Sequence, residues 1–281
     1  MRIPYIAVNP TGKGEAVAED RPHAAGVSTP VNVGSRMLQG RRFLVTGGAR
    51  GLGAAVVETL AAHGATGLIV DLRQPDPSTH PWPFEAADVT DEDSMRALTR
   101  SHAAEHEPFD GLVAAAGVVP GWHSPEAIDL GEFDRTMAVN VRGTVVSIKA
   151  VADQMPAGST IVAIGSLNSW KGDANLLSYV ASKHAVLGVI RSTALALGRR
   201  DIRVNAVAPG PVATEALRSR IDSRASMTGL DLETALARSA DQTALGRLAT
   251  PQDIADAVLF LSSPLSGAIS GHLLPVDGGI L

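Results

Sequence analysis

Cysteine is absent from all 281 residues, which removes disulfide frameworks, thiolate zinc sites, iron–sulfur clusters and cysteine nucleophiles in one step. Any catalysis must run on oxygen, nitrogen or a bound cofactor. Aromatic residues make up only 4%, and no apolar run reaches the ~18 residues of a membrane helix. Residues 1–40 also lack the basic start and continuous apolar stretch of an export signal. The expectation is a soluble, cytoplasmic protein without a membrane partner. A basic surplus is missing too: 29 acidic against 24 basic residues leave a net charge of −5, which argues against nucleic acid as a partner. What remains, 45% hydrophobic and 19% charged residues, is a globular composition suited to a small-molecule substrate.

Four prolines (Pro4, Pro10, Pro22, Pro30) and four glycines in residues 1–36, with no periodic stretch, predict an irregular N-terminal arm over residues 1–38. Over residues 39–281 the pattern alternates. A β-rich run at 42–46, a helical pattern at 51–63 and a second apolar run at 67–71 read as a βαβ unit. Pro75, Pro77, Pro81 and Pro83 then forbid a regular helix, so an extended loop is expected there. Alternation resumes with a helix from about residue 91, capped by Thr90 with Asp93 three residues on, and a strand at 111–116. A long helix over 125–153, a strand at 160–165, a helix at 177–199 and a strand at 202–207 follow. A polar helical segment within 212–240 has the position of a substrate lid. Thr250-Pro251-Gln252-Asp253 starts another helix, and residues 272–276 end the series as a strand. Strands separated by helices predict a single α/β domain around a doubly wound parallel sheet, the Rossmann arrangement.

Thr46-Gly47-Gly48-Ala49-Arg50-Gly51-Leu52-Gly53 lies where a strand gives way to a helix. Glycines there let the backbone turn tightly and approach a pyrophosphate, whose charge meets free N–H groups at the helix start. A plain turn is the bland alternative. Asp71, 18 residues after Gly53 at the end of the second strand, has the spacing of the carboxylate that holds an adenosine ribose. The pair reads as a dinucleotide site. Tyr179 and Lys183, four apart on one helix face, are by themselves an ordinary surface pair. An ammonium beside a phenol, however, stabilises the phenolate and makes tyrosine a usable acid and base. Ser166, at a strand end 13 residues earlier, is placed to donate to a substrate oxygen.

This ordered set resembles the short-chain dehydrogenase/reductase family, in its compact single-domain form. The resemblance covers residues 39–281: TGGARGLG, Asp71, Asp88-Val89, AAAG at 114–117, Asn140, Ser166, YVASK at 179–183, Pro209-Gly210 with Thr214, and the terminal VDGG. It implies that Ser166, Tyr179 and Lys183 are catalytic, with Asn140 holding a helix distortion and a water on the proton path. It implies cofactor contacts from Gly47, Arg50, Gly51, Leu52, Gly53, Asp71, Ala115, Ala116 and Gly117, with Tyr179 and Lys183. Asp88 and Val89 would meet adenine, while Pro209, Gly210, Val212 and Thr214 would hold the nicotinamide amide. The implied activity is that of an alcohol dehydrogenase or ketoreductase, interconverting a secondary alcohol and a ketone. Asp71 favours NAD over NADP as cofactor, since a 2′-phosphate would set two anions together, although Arg50 and Arg73 weigh the other way. Trp122, Leu167, Trp170 and Leu217 are candidate substrate contacts for a small apolar or alicyclic compound. The same resemblance, with apolar residues spread around the helices at 125–153 and 177–199, implies a homotetramer.

The sequence departs from the family pattern in Ala114 and Ala115, where asparagines are usual, and in the proline-rich stretch that replaces a helix. Competing readings remain in view. His102, Glu105 and His106 match an inverted zinc-peptidase spacing but fall in a peripheral helix with no third ligand, so no metal is expected. A non-catalytic dinucleotide sensor would be expected to lack Tyr179 or Lys183. Arg218, Arg220 and Arg224 would suit a 3-oxoacyl reductase acting on a carrier or coenzyme A thioester, or else form a solvated helix face. His184, about 100° around the helix from Lys183, reads as packing.

Overall fold

Consecutive residues of a strand point to opposite sheet faces, so a run such as Phe43-Leu44-Val45 needs apolar cover on both. The computed structural model describes residues 36–74, 80–212, 214 and 231–280. Its strands are β1 (Arg42–Thr46), β2 (Thr66–Asp71), β3 (Phe84–Ala86), β4 (Gly111–Ala114), β5 (Thr160–Ile164), β6 (Arg203–Pro209) and β7 (Leu273–Val276). They form one parallel sheet in the order β3-β2-β1-β4-β5-β6-β7. The helices are α1 (Gly51–Ala62), α2 (Glu92–Glu105), α3 (Leu130–Met137), α4 (Gly143–Ala152), α5 (Leu177–Leu197), α6 (Leu232–Asp241) and α7 (Pro251–Ser262). Leu44, Leu68, Leu112 and Ile161 pack on one sheet face with Val146 of α4 and Val186 and Ile190 of α5. Phe43, Val45, Ile69 and Val162 pack on the other with Val57 and Leu60 of α1 and Ile254 and Val258 of α7. Each such side chain stabilises the fold by roughly 1.5–3 kcal/mol. Among the described residues no helix is long and apolar enough to cross a membrane.

Strand order reverses at β1, which is flanked by β2 and β4. In a doubly wound sheet this places a crevice at the carboxyl ends of those strands.

Several local expectations change. Asp91, not Thr90, caps α2, its carboxylate accepting from the N–H groups of Asp93 and Ser94; Thr90 is held in the preceding turn by Asp88. The helix expected over 125–153 is interrupted, because Asp129 caps α3 afresh after a 3-10 turn at Pro125–Ala127, and a π turn, Ala138–Arg142, separates α3 from α4. Strand β4 stops at Ala114, two residues early. The described part of the proline-rich crossover contains no helix, and β3 follows it. The packed unit reaches back past residue 39: Leu38 is fully buried, and its N–H donates to the His63 carbonyl at 3.0 Å. His184 is exposed rather than packed, with Nδ1 3.0 Å from the Val180 carbonyl oxygen. His102 and His106 stack at 6.0 Å, with His102 3.8 Å from Glu85, and the described residues hold no group of three side chains able to ligate a metal.

Candidate active site

The loop after β1 depends on two missing side chains. Gly47 has φ +69°, and a Cβ on it would lie 2.6 Å from Ala116 Cα. A Cβ on Gly53 would sit 2.0 Å from the Gly47 carbonyl oxygen. Helix α1 then begins at Arg50 with no side-chain cap and no acidic residue in its first turn. Asp91, Asp129, Asp231 and Thr250, by contrast, cap α2, α3, α6 and α7. First-turn N–H groups of α1 are thus left for an anion.

Beside this loop a cleft of about 380 Å³ is lined by Gly47, Arg50, Asp71, Asp88, Val89, Ala115, Ala116 and Gly117, all expected from the sequence. Asp71 is anchored there: its Oδ2 accepts from the Ala49 N–H at 3.2 Å and its Oδ1 from the Arg73 N–H at 3.4 Å. A glycine cradle, an uncapped helix start and a carboxylate at the end of β2 fit a dinucleotide. Gly51, Leu52 and Gly53 form the first turn of α1 and do not line the cleft. Neither do Pro209, Gly210, Val212 and Thr214. Gly210 N–H donates to the Val276 carbonyl at 3.1 Å, and buried Val212 bridges to Ala249.

The buried Asn140 sits in the π turn. Its Oδ1 accepts from Val118 N–H at 2.8 Å, while Nδ2 donates to Val118 O and Ser182 Oγ, both at 3.0 Å. Ser182 Oγ in turn donates to the Tyr179 carbonyl at 2.8 Å. One buried network therefore joins the loop after β4, the π turn and α5. Lys183, on α5, lies 5.5 Å from the Tyr179 ring centroid and donates from Nζ to the Ile164 carbonyl at 2.8 Å. Burial pushes the lysine down from its ordinary 10.5 to about 8, because desolvation disfavours the ammonium. Ser166 begins a turn after β5 and accepts the Asn168 N–H on Oγ at 3.1 Å. That bond uses an oxygen lone pair and leaves the hydroxyl hydrogen to donate.

Of the candidate substrate contacts, Trp122 and Leu167 are half-buried, whereas Trp170 is 45% exposed. Leu217, with Arg218, Arg220, Arg224 and most of the expected lid, lies outside the described residues. The His123 N–H donates to the Asn175 carbonyl at 3.0 Å, tying the segment after β4 to the one after β5. Arg135 also lines the cleft, as do Ala138 and Val139. The sequence reading missed all three; only Ala138 and Val139, within two residues of Asn140, carried a usable signal.

A family model described as enoyl-(acyl carrier protein) reductase matches residues 47–281. Short-chain dehydrogenase reductase 4 of Arabidopsis thaliana is 38% identical over 259 residues, covering 87% of this chain and 83% of that protein. The cis-4-hydroxycyclohexanecarboxylate dehydrogenase of Sinomonas cyclohexanicum is 34% identical over 250 residues, covering 85% of this chain and 96% of its own. Among solved structures, the aldohexose dehydrogenase of Thermoplasma acidophilum superposes with a TM-score of 0.82 at 28% identity, covering 88% of this chain and 96% of the other. The family match spans the cleft, the Tyr179–Lys183 helix and every strand after β1, and the chain belongs to the short-chain dehydrogenase/reductase family, oxidoreductases of CH–OH groups that use nicotinamide dinucleotides.

Proposed function

We propose that the protein is an NAD-dependent oxidoreductase that interconverts a secondary alcohol and a ketone on a small apolar or alicyclic substrate. The observation that carries this reading is the buried Lys183 ammonium at the Tyr179 ring, held by the Ile164 carbonyl at the end of the strand that Ser166 follows. When bound, the dinucleotide supplies or accepts the hydride. In the reductive direction Tyr179 gives its phenolic proton to the substrate oxygen, and Ser166 donates a hydrogen bond to the same atom. Lys183 stabilises the phenolate left behind. Asn140, through its bonds to Val118 and Ser182, fixes the turn that faces them. The oxidative direction reverses these transfers.

Asp71 supports NAD. Its carboxylate is fixed by two backbone donors and keeps lone pairs for ribose hydroxyls, while a 2′-phosphate would meet it as a second anion. Arg50 and Arg73 line the same cleft and are the residues a phosphate would use. The likeness to cis-4-hydroxycyclohexanecarboxylate dehydrogenase supports an alicyclic substrate, as do the half-buried Trp122 and Leu167. A homotetramer assembled through the α3–α4 and α5 faces is supported by exposed Leu130, Val145 and Leu195 on those helices.

The test is a panel of secondary alcohols and ketones, with both cofactors, followed at the NADH band. At least about tenfold higher kcat/KM with NAD is expected, since ~1.4 kcal/mol of anion repulsion is tenfold. Asp71→Ala should shrink that ratio. Equal efficiency with the two cofactors, or an unchanged ratio in the variant, rejects Asp71 as selector. Inactivity across the panel with both rejects the substrate class.

A further inference from the structure

The proline-rich stretch that replaces a helix ends in a strap held hard against the sheet. Pro81 and Pro83 each fix their own backbone φ, and Trp82 between them is buried. The Trp82 ring lies on β2 at Gly67, where a Cβ would come within 2.7 Å of it. Pro83 closes the strap by accepting the Ile69 N–H at 2.9 Å. The strap places His80 against the glycine-rich loop, with Nε2 3.2 Å from the Ala49 carbonyl oxygen. A carbonyl can only accept, so Nε2 carries the hydrogen. Nδ1 is buried and has no partner among the described residues, so this bond is the ring's one polar contact there.

Ala49 is consequently pinned on both sides. Its N–H donates to Asp71, and its C=O accepts from His80. The next residue, Arg50, lines the cleft and opens α1 without a side-chain cap. We propose that His80 is a positioning residue for the cofactor: by holding the Ala49 carbonyl it pre-sets the phosphate-binding turn, so that the turn need not be ordered when a dinucleotide arrives. The proposal rests on the dinucleotide reading of the cleft. It assigns the strap a task that the irregular composition of residues 72–83 does not announce. His80 does not touch the reacting atoms, so its loss acts on cofactor affinity and not on the proton transfer.

Calorimetric titration of the full chain with NAD and with NADP, beside thermal melts, tests this. His80→Phe keeps a part-buried ring and deletes the donor; His80→Gln keeps a neutral N–H donor. Dissociation constants should rise about three- to tenfold in His80→Phe, the range for one neutral hydrogen bond, and return to within about twofold of wild type in His80→Gln. Wild-type affinity in His80→Phe overturns the proposal. So does an equal loss in both variants, which assigns the effect to packing. A wild-type protein that binds neither dinucleotide overturns the reading of the cleft and this proposal together.

Discussion

Replacing Lys183 by methionine should destroy turnover and leave the fold at least as stable as before. Lysine at this position is held down to about 8 by desolvation, with no carboxylate among its partners. A displacement from 10.5 to about 8, at 1.36 kcal/mol per unit, means that the folded state carries a charge penalty of about 3 kcal/mol near neutrality. Methionine fills similar space and removes that penalty, but leaves the Ile164 carbonyl without its donor, which costs about 1–3 kcal/mol. The balance lies between neutrality and about 2 kcal/mol of stabilisation, or a Tm higher by up to several degrees. The sign with pH follows from proton binding. Between about 8 and 10.5 the unfolded chain keeps the lysine proton that the folded chain has shed, so wild-type stability gains a rising contribution from this group as pH increases. Lys183→Met lacks that rise, and its advantage should shrink across the same window. Denaturant unfolding without cofactor, at pH 7 and at pH 10, reads the difference. A variant less stable than wild type by more than about 1 kcal/mol at pH 7, or a difference that does not move with pH, refutes the reasoning. Turnover should fall by at least about a hundredfold in the same variant, the scale of general acid–base catalysis.

Tyr179→Phe should lose roughly a thousandfold in kcat while still binding cofactor, and retention of more than about a tenth of wild-type turnover would contradict its role as proton donor. Gly53→Ala, whose new methyl would fall 2.0 Å from the Gly47 carbonyl, should fold poorly or lose dinucleotide affinity; thermal melts with and without NAD show which. Asp253 is held down from 3.8 to about 2 by the Thr250 N–H, Arg247 and the Thr250 hydroxyl, so its stabilisation is present above pH 3.8 and lost as pH falls through about 2. Asp253→Asn should therefore be the less stable protein at pH 6, with the gap closing in acid; a gap constant with pH would remove the carboxylate from the account. Light scattering coupled to size exclusion should show a species several times the 29.0 kDa chain mass at micromolar concentration, and a monomer alone would reject assembly through the α3–α4 and α5 faces.

The central strands were legible because a buried parallel strand must be apolar at every position, and Phe43-Leu44-Val45 and Ile161-Val162-Ala163 can satisfy two packed faces only between layers of helix, whereas β3, a short and largely exposed edge strand, was not. Helix starts were legible where a side chain does the capping, as at Thr250, and were misjudged where two candidates stood side by side, as with Thr90 and Asp91. The break in the 125–153 helix was harder. Val139, Asn140 and Val141 are only mildly unfavourable in an α-helix, too little to predict a break, and the π turn answers to Asn140, whose side chain bonds Val118 and Ser182 from two other elements.

The candidate site divides along the same line. Gly47, Gly53 and Asp71 could be read because their work is done by local geometry, a turn, a close approach and a strand end, that short spacing encodes. Arg135 and His80 could not, since each reaches the cleft or its loop from a segment whose path depends on tertiary packing, α3 in one case and the Trp82 strap in the other. The lysine belongs to both groups. Its four-residue offset from Tyr179 is local, but the desolvation that separates a buried ammonium from a surface one arises only when α5 is laid against the end of β5 and the Ile164 carbonyl becomes its hydrogen-bond partner. Chemistry in this fold is thus assembled where strand ends converge, and a residue's role depends on which strand end its helix is packed against.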